Sequence, residues 1–222
     1  MASNHYDQDY FNWQIRIGKS NKRIVSRFQK YIDKNDLVLD FGCGGGFLLS
    51  FIDCKNKIGF DINETALRHA FQLGINTFNN LELIENNSVD VIISNSALEH
   101  VPSPIETLKE LKTKLKPNGK IVFSVPHETL NWDYKINDIN YHLHTWSPMG
   151  IGNLFNEAGF KNMDVKTFRE KALPNEDRWT KFASESFVSF LRKPYRMFRL
   201  VLDELKIKPI GVDGDIVVYA EK

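Results

Sequence analysis

The stretch Leu37-Val38-Leu39-Asp40-Phe41, followed at once by Gly42-Cys43-Gly44-Gly45-Gly46, constrains this chain more than any other. A continuous apolar run suits a strand buried on both faces, and such strands belong to parallel sheets covered by helices. Four glycines directly after it strip side chains from the backbone and permit positive φ in a tight strand-to-helix turn. In an open α/β sheet, ligands bind beyond the carboxyl ends of the strands. The same short stretch therefore predicts a fold class and the place to look for a site.

The remaining elements alternate accordingly. Helical spacing of Ile24, Val25, Phe28, Tyr31 and Ile32 predicts a helix over 21–32, and Phe47 to Ile52 predicts the next. Strands are expected at 57–61, 75–78, 89–94 and 120–125, the last entered through a Pro117-Asn118-Gly119 turn. Asn63 is the expected N-cap of a helix ending at Gly74. Ser103-Pro104 opens a helix that carries Ile105, Leu108, Leu111 and Leu115 on one face, and Ser147-Pro148 opens another, closed by Gly159. Such an order implies right-handed crossovers and helices on both sides of the sheet. Two final strands, 163–168 and 215–220, break the rhythm. Between them, 171–214 reads as a helical insertion too short for a core of its own. The chain is thus expected to be one domain over 1–222, with residues 1–33 as a helical entry segment.

Composition excludes several function classes. Lys+Arg 29 against Asp+Glu 28 argues against a nucleic-acid coat or a polybasic membrane binder. The two cysteines, Cys43 and Cys54, form neither a disulfide framework nor a zinc-ligand spacing. With no signal-peptide core and no run near the ~18 apolar residues of a membrane span, the sequence reads as soluble and cytoplasmic.

Two carboxylates bracket the loop. The dinucleotide fingerprint G-x-G-x-x-G would require glycine where Phe47 stands, and Asp40 opposes a pyrophosphate, so a nicotinamide-dependent oxidoreductase is disfavoured. An acid there suits a ligand with positive charge. Asp61, at the end of the second strand, suits the vicinal hydroxyls of a ribose. A cationic ligand with an adenosine-like ribose is S-adenosylmethionine.

VLDFGCGGG and IGFDIN, continued by SVDVIISNSALEHV, LKPNGKIVFSVPH and HLHTWSPMGIGNLFNEAGF, resemble the class I S-adenosylmethionine-dependent methyltransferases. The likeness covers roughly 36–168 and the closing strand at 215–222. It is greatest to bacterial small-molecule enzymes, among them those of ubiquinone biosynthesis and those found with surface-polysaccharide genes. The resemblance implies a Rossmann-like, doubly wound, mostly parallel seven-stranded sheet with helices on both faces and a last antiparallel strand. It implies that Asp40 binds the methionine ammonium, with Gly42 and Gly44 lining that moiety. Asp61 would hold the ribose, Ile62 would pack on adenine, and Asn79, Asn80 and Leu81 would meet the adenine edge. Asn95 would face the methyl-donor channel, and Tyr10, Trp13 and Gln14 match an aromatic segment that closes over the cofactor.

Methyl transfer from a sulfonium needs an aligned acceptor, excluded water and, for a hydroxyl nucleophile, a base. Histidine is the natural base, and the candidates are His127, His100 and His144, in that order, with Glu99 and Glu128 as orienting partners. His69 is expected at the surface. No metal site is expected, because His142 and His144 alternate without a third ligand. Trp132, Tyr134, Tyr141 and Trp146 suit either a sugar-sized pocket or core packing. Arg192, Arg196 and Arg199 form either an anion-binding face or a solvated one.

The absence of a D/N/S-P-P-Y/F motif after the fourth strand argues against nucleobase amino methylation. The expected activity is methyl transfer to a small polar acceptor at oxygen, such as a sugar or phosphorylated metabolite of surface-polysaccharide (capsule) synthesis. The alternatives are a cofactor-binding regulatory protein without turnover, or methylation of another small metabolite such as a quinone precursor. No nucleic-acid or membrane partner is expected. The 171–214 segment either caps the pocket or pairs two subunits as a homodimer.

Overall fold

Val38 and Leu39 are adjacent in sequence and point to opposite faces of their strand, as every strand requires, yet both are fully buried. The computed structural model explains why: the strand lies in the middle of a sheet with a hydrophobic cluster on each side. Residues 24–128, 140–168 and 212–222 are described, together with the single positions 11, 15, 134, 136, 138, 184, 186, 187, 190, 191, 194, 195, 197, 198 and 201. Among them the elements are α1 (Val25–Gln29), β1 (Leu37–Phe41), α2 (Phe47–Phe51), β2 (Asn56–Phe60), α3 (Glu64–Gln72), β3 (Asn76–Phe78) and β4 (Val89–Asn95). The second half holds α4 (Pro104–Lys114), β5 (Leu115–Glu128), α5 (Pro148–Glu157), β6 (Lys161–Phe168) and β7 (Val212–Glu221).

The strands form one seven-stranded sheet in the order β3-β2-β1-β4-β5-β7-β6. Pairing is parallel from β3 through β5, and β7 runs antiparallel to both β5 and β6. On one face Leu39, Ile92, Phe123 and Val218 pack beneath α4 and α5 through Leu108, Leu111, Ile151 and Phe155. On the other, Val38, Ile93, Val122 and Val217 meet Phe28, Leu48, Leu49 and Ala70 of α1, α2 and α3. Arg27 of α1 forms an ion pair with Asp215 of β7, which ties the entry helix to the last strand. No helix among the described residues is long and apolar enough to cross a membrane.

Several boundaries differ from expectation: among the described residues the helix expected over 21–32 is Val25–Gln29, and the last two strands begin at Lys161 and Val212, earlier than expected. Two further differences bear on the sheet and the site. The strand β5 begins at Leu115, directly after α4, and Pro117-Asn118-Gly119 is a bulge inside it. Val89 pairs with Leu115 and Val91 with Lys120, so the extra residues loop out of the ladder, with Asn118 at φ +64°. The strand β2 ends one residue early, at Phe60, leaving Asp61 just beyond the sheet. Of the 171–214 segment only single positions are described, with 186, 187, 190, 191, 194, 195, 197, 198 and 201 helical.

Candidate active site

The strand order reverses between β1 and β4: β2 and β3 extend the sheet on one side of β1, and β4 continues it on the other. Beyond their carboxyl ends the glycine loop folds back over β2, with the Gly42 and Cys43 N–H groups both donating to the Phe60 carbonyl at 2.8 and 2.9 Å. Gly42, Gly44 and Gly46 all take positive φ, which satisfies the turn predicted for them. Gly42 serves a second purpose. A Cβ placed on it would lie 2.3 Å from the Ala97 Cβ, so the loop after β1 and the turn after β4 touch only because this side chain is missing.

Beside this contact lies a cavity of about 320 Å³, near the lower end of the usual size of small-molecule sites. Its walls come from the ends of β1 and β2 (Phe41, Gly42, Phe60, Asp61 and Ile62), from Leu81, and from the segment Ser96–Pro102 and α4. Phe41 and Phe60 stack face to face, centroids 5.3 Å apart, and make an apolar floor. Ile62 remains 57% exposed at the rim, an uncovered apolar surface where a flat ring can lie.

Asp61 is held in place by the main chain. Its carboxylate accepts from the Gly44 N–H at 2.7 Å and from the Asn63 N–H at 2.9 Å. Asn63 in turn caps α3, accepting from Thr65 and Ala66, as the sequence predicted. Burial pushes the Asp61 carboxyl above the ordinary carboxylate range, while the N–H donors pull it partly back. Asp40 is buried behind the loop rather than on the cavity wall. Its carboxyl is raised well above the ordinary range, first by burial and then by the Asp61 charge. Both acids therefore sit where a positive charge stabilises them. Burial also raises the Cys43 thiol, which keeps it protonated and unreactive.

The other expected residues divide. Leu81 lies on the wall, whereas Asn80 caps the 3₁₀ turn Leu81–Leu83, its side chain accepting from the Glu82 N–H at 3.0 Å. Asn95 closes β4, and the sharp turn after it, with Ser96 at φ +55°, places Ser96 and Ala97 on the wall instead. Tyr10, Trp13 and Gln14 lie outside the described residues, as do Trp132 and the three arginines; the neighbouring Phe11 is helical and buried. Phe11 packs on His69, which corrects the surface position expected for that histidine. His69 bonds the Gly45 carbonyl at 2.7 Å and lies between the Phe11 and Phe47 rings.

His100 lies on the cavity wall, in a 3₁₀ turn after β4. His127, the next-to-last residue of β5, is half-buried and is not among the residues that line the cavity; its Nδ1 is buried without a hydrogen-bond partner among the described residues. His144 is taken up by structure: its Nε2 bonds the Val101 carbonyl at 3.0 Å and its ring stacks on Trp146. Trp146 packs against the core and Tyr134 is 91% exposed, so these aromatics do not wall the cavity. Sequence reasoning missed Ser96, Val101, Thr107 and Glu110 as wall residues, and it missed that His142 folds against His100, their rings 4.9 Å apart.

A methyltransferase-domain family matches residues 13–165. A ubiquinone biosynthesis O-methyltransferase from Coxiella burnetii is 34% identical over 122 residues, covering 48% of this chain and 50% of that protein. One from Ralstonia nicotianae is 25% identical over 181 residues, covering 71% and 76%. The chain thus spans about half the length of the first of these relatives. Among solved structures, a SAM-dependent methyltransferase from Archaeoglobus fulgidus superposes with a TM-score of 0.65 at 20% identity, covering 96% of this chain and 99% of the other.

Proposed function

The chain belongs to the methyltransferase-domain family, and from that premise we propose that it transfers a methyl group from S-adenosylmethionine to an oxygen atom of a small polar acceptor. The observation that carries this reading is Asp61. Its carboxylate stands on the wall of a nucleoside-sized cavity, fixed by two N–H groups, one of them from the glycine loop itself. A ribose offers that carboxylate two hydroxyl donors, and the positive charge of the ligand offsets the burial of Asp40 and Asp61.

When bound, S-adenosylmethionine supplies an activated methyl: the C–S bond breaks as the O–C bond forms, and its electron pair returns to sulfur. The chain's own residues do the rest. Asp61 orients the ribose, Ile62 and Leu81 enclose the ring at the rim, and the glycine loop leaves room along the backbone. Asp40 holds the ammonium, directly or through water, from behind the loop. His127 takes the acceptor's proton, a role its unpartnered Nδ1 suits.

Oxygen as the accepting atom is supported by the relatives named as O-methyltransferases, and their ubiquinone names favour a quinone precursor over a sugar. A polysaccharide sugar would draw support from aromatic stacking walls, and Tyr134 and Trp146 do not provide them here. Calorimetric titration with S-adenosylmethionine and its demethylated product should give saturable binding. No heat at millimolar ligand would end the proposal. Saturable binding with no methyl transfer to phenolic or aliphatic hydroxyls would establish the regulatory alternative instead.

A further inference from the structure

The turn after β4 and the segment before α5 are 40 residues apart in sequence, yet they bring Glu99, His100 and His142 together. One donor atom from each lies within 4.8 Å of the other two. Glu99 is fully buried, and both imidazoles are half-buried. His100 and His142 meet edge to face at 72°, an arrangement that lets two ring nitrogens converge on one point.

The grouping is enforced by the main chain. The Glu99 carbonyl accepts from the Leu143 N–H at 2.9 Å and from the His144 N–H at 3.1 Å, which docks the segment carrying His142 onto the turn carrying Glu99 and His100. The His144 ring adds its bond to the Val101 carbonyl. Such second-layer contacts hold ligating side chains in metal sites.

We propose that Glu99, His100 and His142 form a binding site for one divalent transition cation of the zinc class, placed to hold the acceptor's oxygen. Two imidazoles with one carboxylate are the donor set of open, reactive sites, because three protein ligands leave a coordination position for another oxygen. Metal–ligand bonds of about 2.0–2.2 Å place neighbouring donors roughly 3–3.5 Å apart. The three donors therefore close by small side-chain rotations. His100 also lines the cavity, so an ion here borders the space assigned to the methyl donor. There it would polarise an acceptor hydroxyl and ease loss of its proton to His127. That role rests on the methyl-transfer reading; binding of the cation does not.

The test is titration of zinc alone into the full chain after chelator treatment, with cobalt(II) as a spectroscopic substitute. One equivalent should bind per chain, and cobalt should give visible absorption of a low-coordinate site. His142→Ala and Glu99→Gln should each weaken zinc binding by more than about tenfold, while Glu106→Gln, at an exposed carboxylate of α4 paired with Lys109, leaves it unchanged. Should Glu99→Gln fail to fold, His142→Ala decides alone. No stoichiometric zinc, or equal affinity in His142→Ala, overturns the site. A chain that binds S-adenosylmethionine and not zinc loses only this site. A chain that binds zinc and not S-adenosylmethionine loses the methyl-transfer reading and keeps this one.

Discussion

The cavity has two halves built by different means. The half proposed for the donor is the carboxyl edge of β1 and β2, where Asp61, Gly42 and Gly44 are placed by strand register and by main-chain hydrogen bonds. The rim proposed for the acceptor is the turn Leu98–His100 and the irregular segment before α5, where placement depends on side chains meeting across 42 residues. The first half is rigid because the sheet beneath it is buried on both faces. The second can change its residues without disturbing the sheet, which is how a shared donor site comes to serve different acceptors. Substitutions in the two halves should therefore fail in different ways.

The largest effect belongs to Gly42→Val. Its Cβ would collide with Ala97 at 2.3 Å, and φ +74° disfavours any β-branched residue. Binding of S-adenosylmethionine should vanish while the sheet persists by circular dichroism. Retained affinity would mean that the loop is not part of the donor site. If His127 is the base proposed for it, His127→Ala should lower kcat by roughly 10²–10⁴-fold, the usual contribution of a positioned base, and leave donor affinity unchanged. If it weakens donor binding instead, the division between halves is wrong. Asp61→Ala comes next. Losing a charge-assisted hydrogen bond or two, each worth about 1.5–3 kcal/mol, should weaken binding by at least about tenfold in calorimetry, with kcat at saturation nearly intact.

The same division explains what could be read from sequence. The unbroken apolar run of β1, the glycines after it and the Asn63 cap are local signals, and the structure places each where it was expected; Asp61 stands one residue beyond the strand expected to carry it. Phe47 in place of a third spaced glycine separated this loop from a dinucleotide turn. The rim was not legible in the same way. His142 and His144 alternate in sequence and so looked like a pair, but His144 is spent on the Val101 carbonyl while His142 joins Glu99 and His100. No periodicity encodes that meeting, because it is made by a crossing of two irregular segments. The bulge at Asn118 escaped for a related reason: a Pro-Asn-Gly sequence signals a turn equally well inside a strand or before it.

Asp40 gives the smallest effect and the sharpest test of the donor half, because it bears on the ligand from behind the wall. Burial and the Asp61 charge raise its carboxyl well above the ordinary range. Between the ordinary carboxylate pKa and that raised value, the folded chain holds a proton that the unfolded chain has lost. Stability of the ligand-free protein therefore falls as pH rises through this window, and the loss persists at neutral pH. Asp40→Asn removes the charge at nearly constant volume. It should raise the neutral-pH Tm of the ligand-free chain, by about 2–4 °C for each kcal/mol recovered, and flatten the decline on the acid side. With a cationic ligand bound the sign reverses, since the ionised carboxylate is then the favoured form. The substitution that stabilises the empty protein should weaken its hold on S-adenosylmethionine, and the wild-type affinity should fall as pH drops through the same window. A thermal-shift series across pH, with and without ligand, reads both. If Asp40→Asn stabilises the chain and leaves affinity untouched, Asp40 shapes the loop without meeting the ligand's charge, and Asp61 alone carries the donor half.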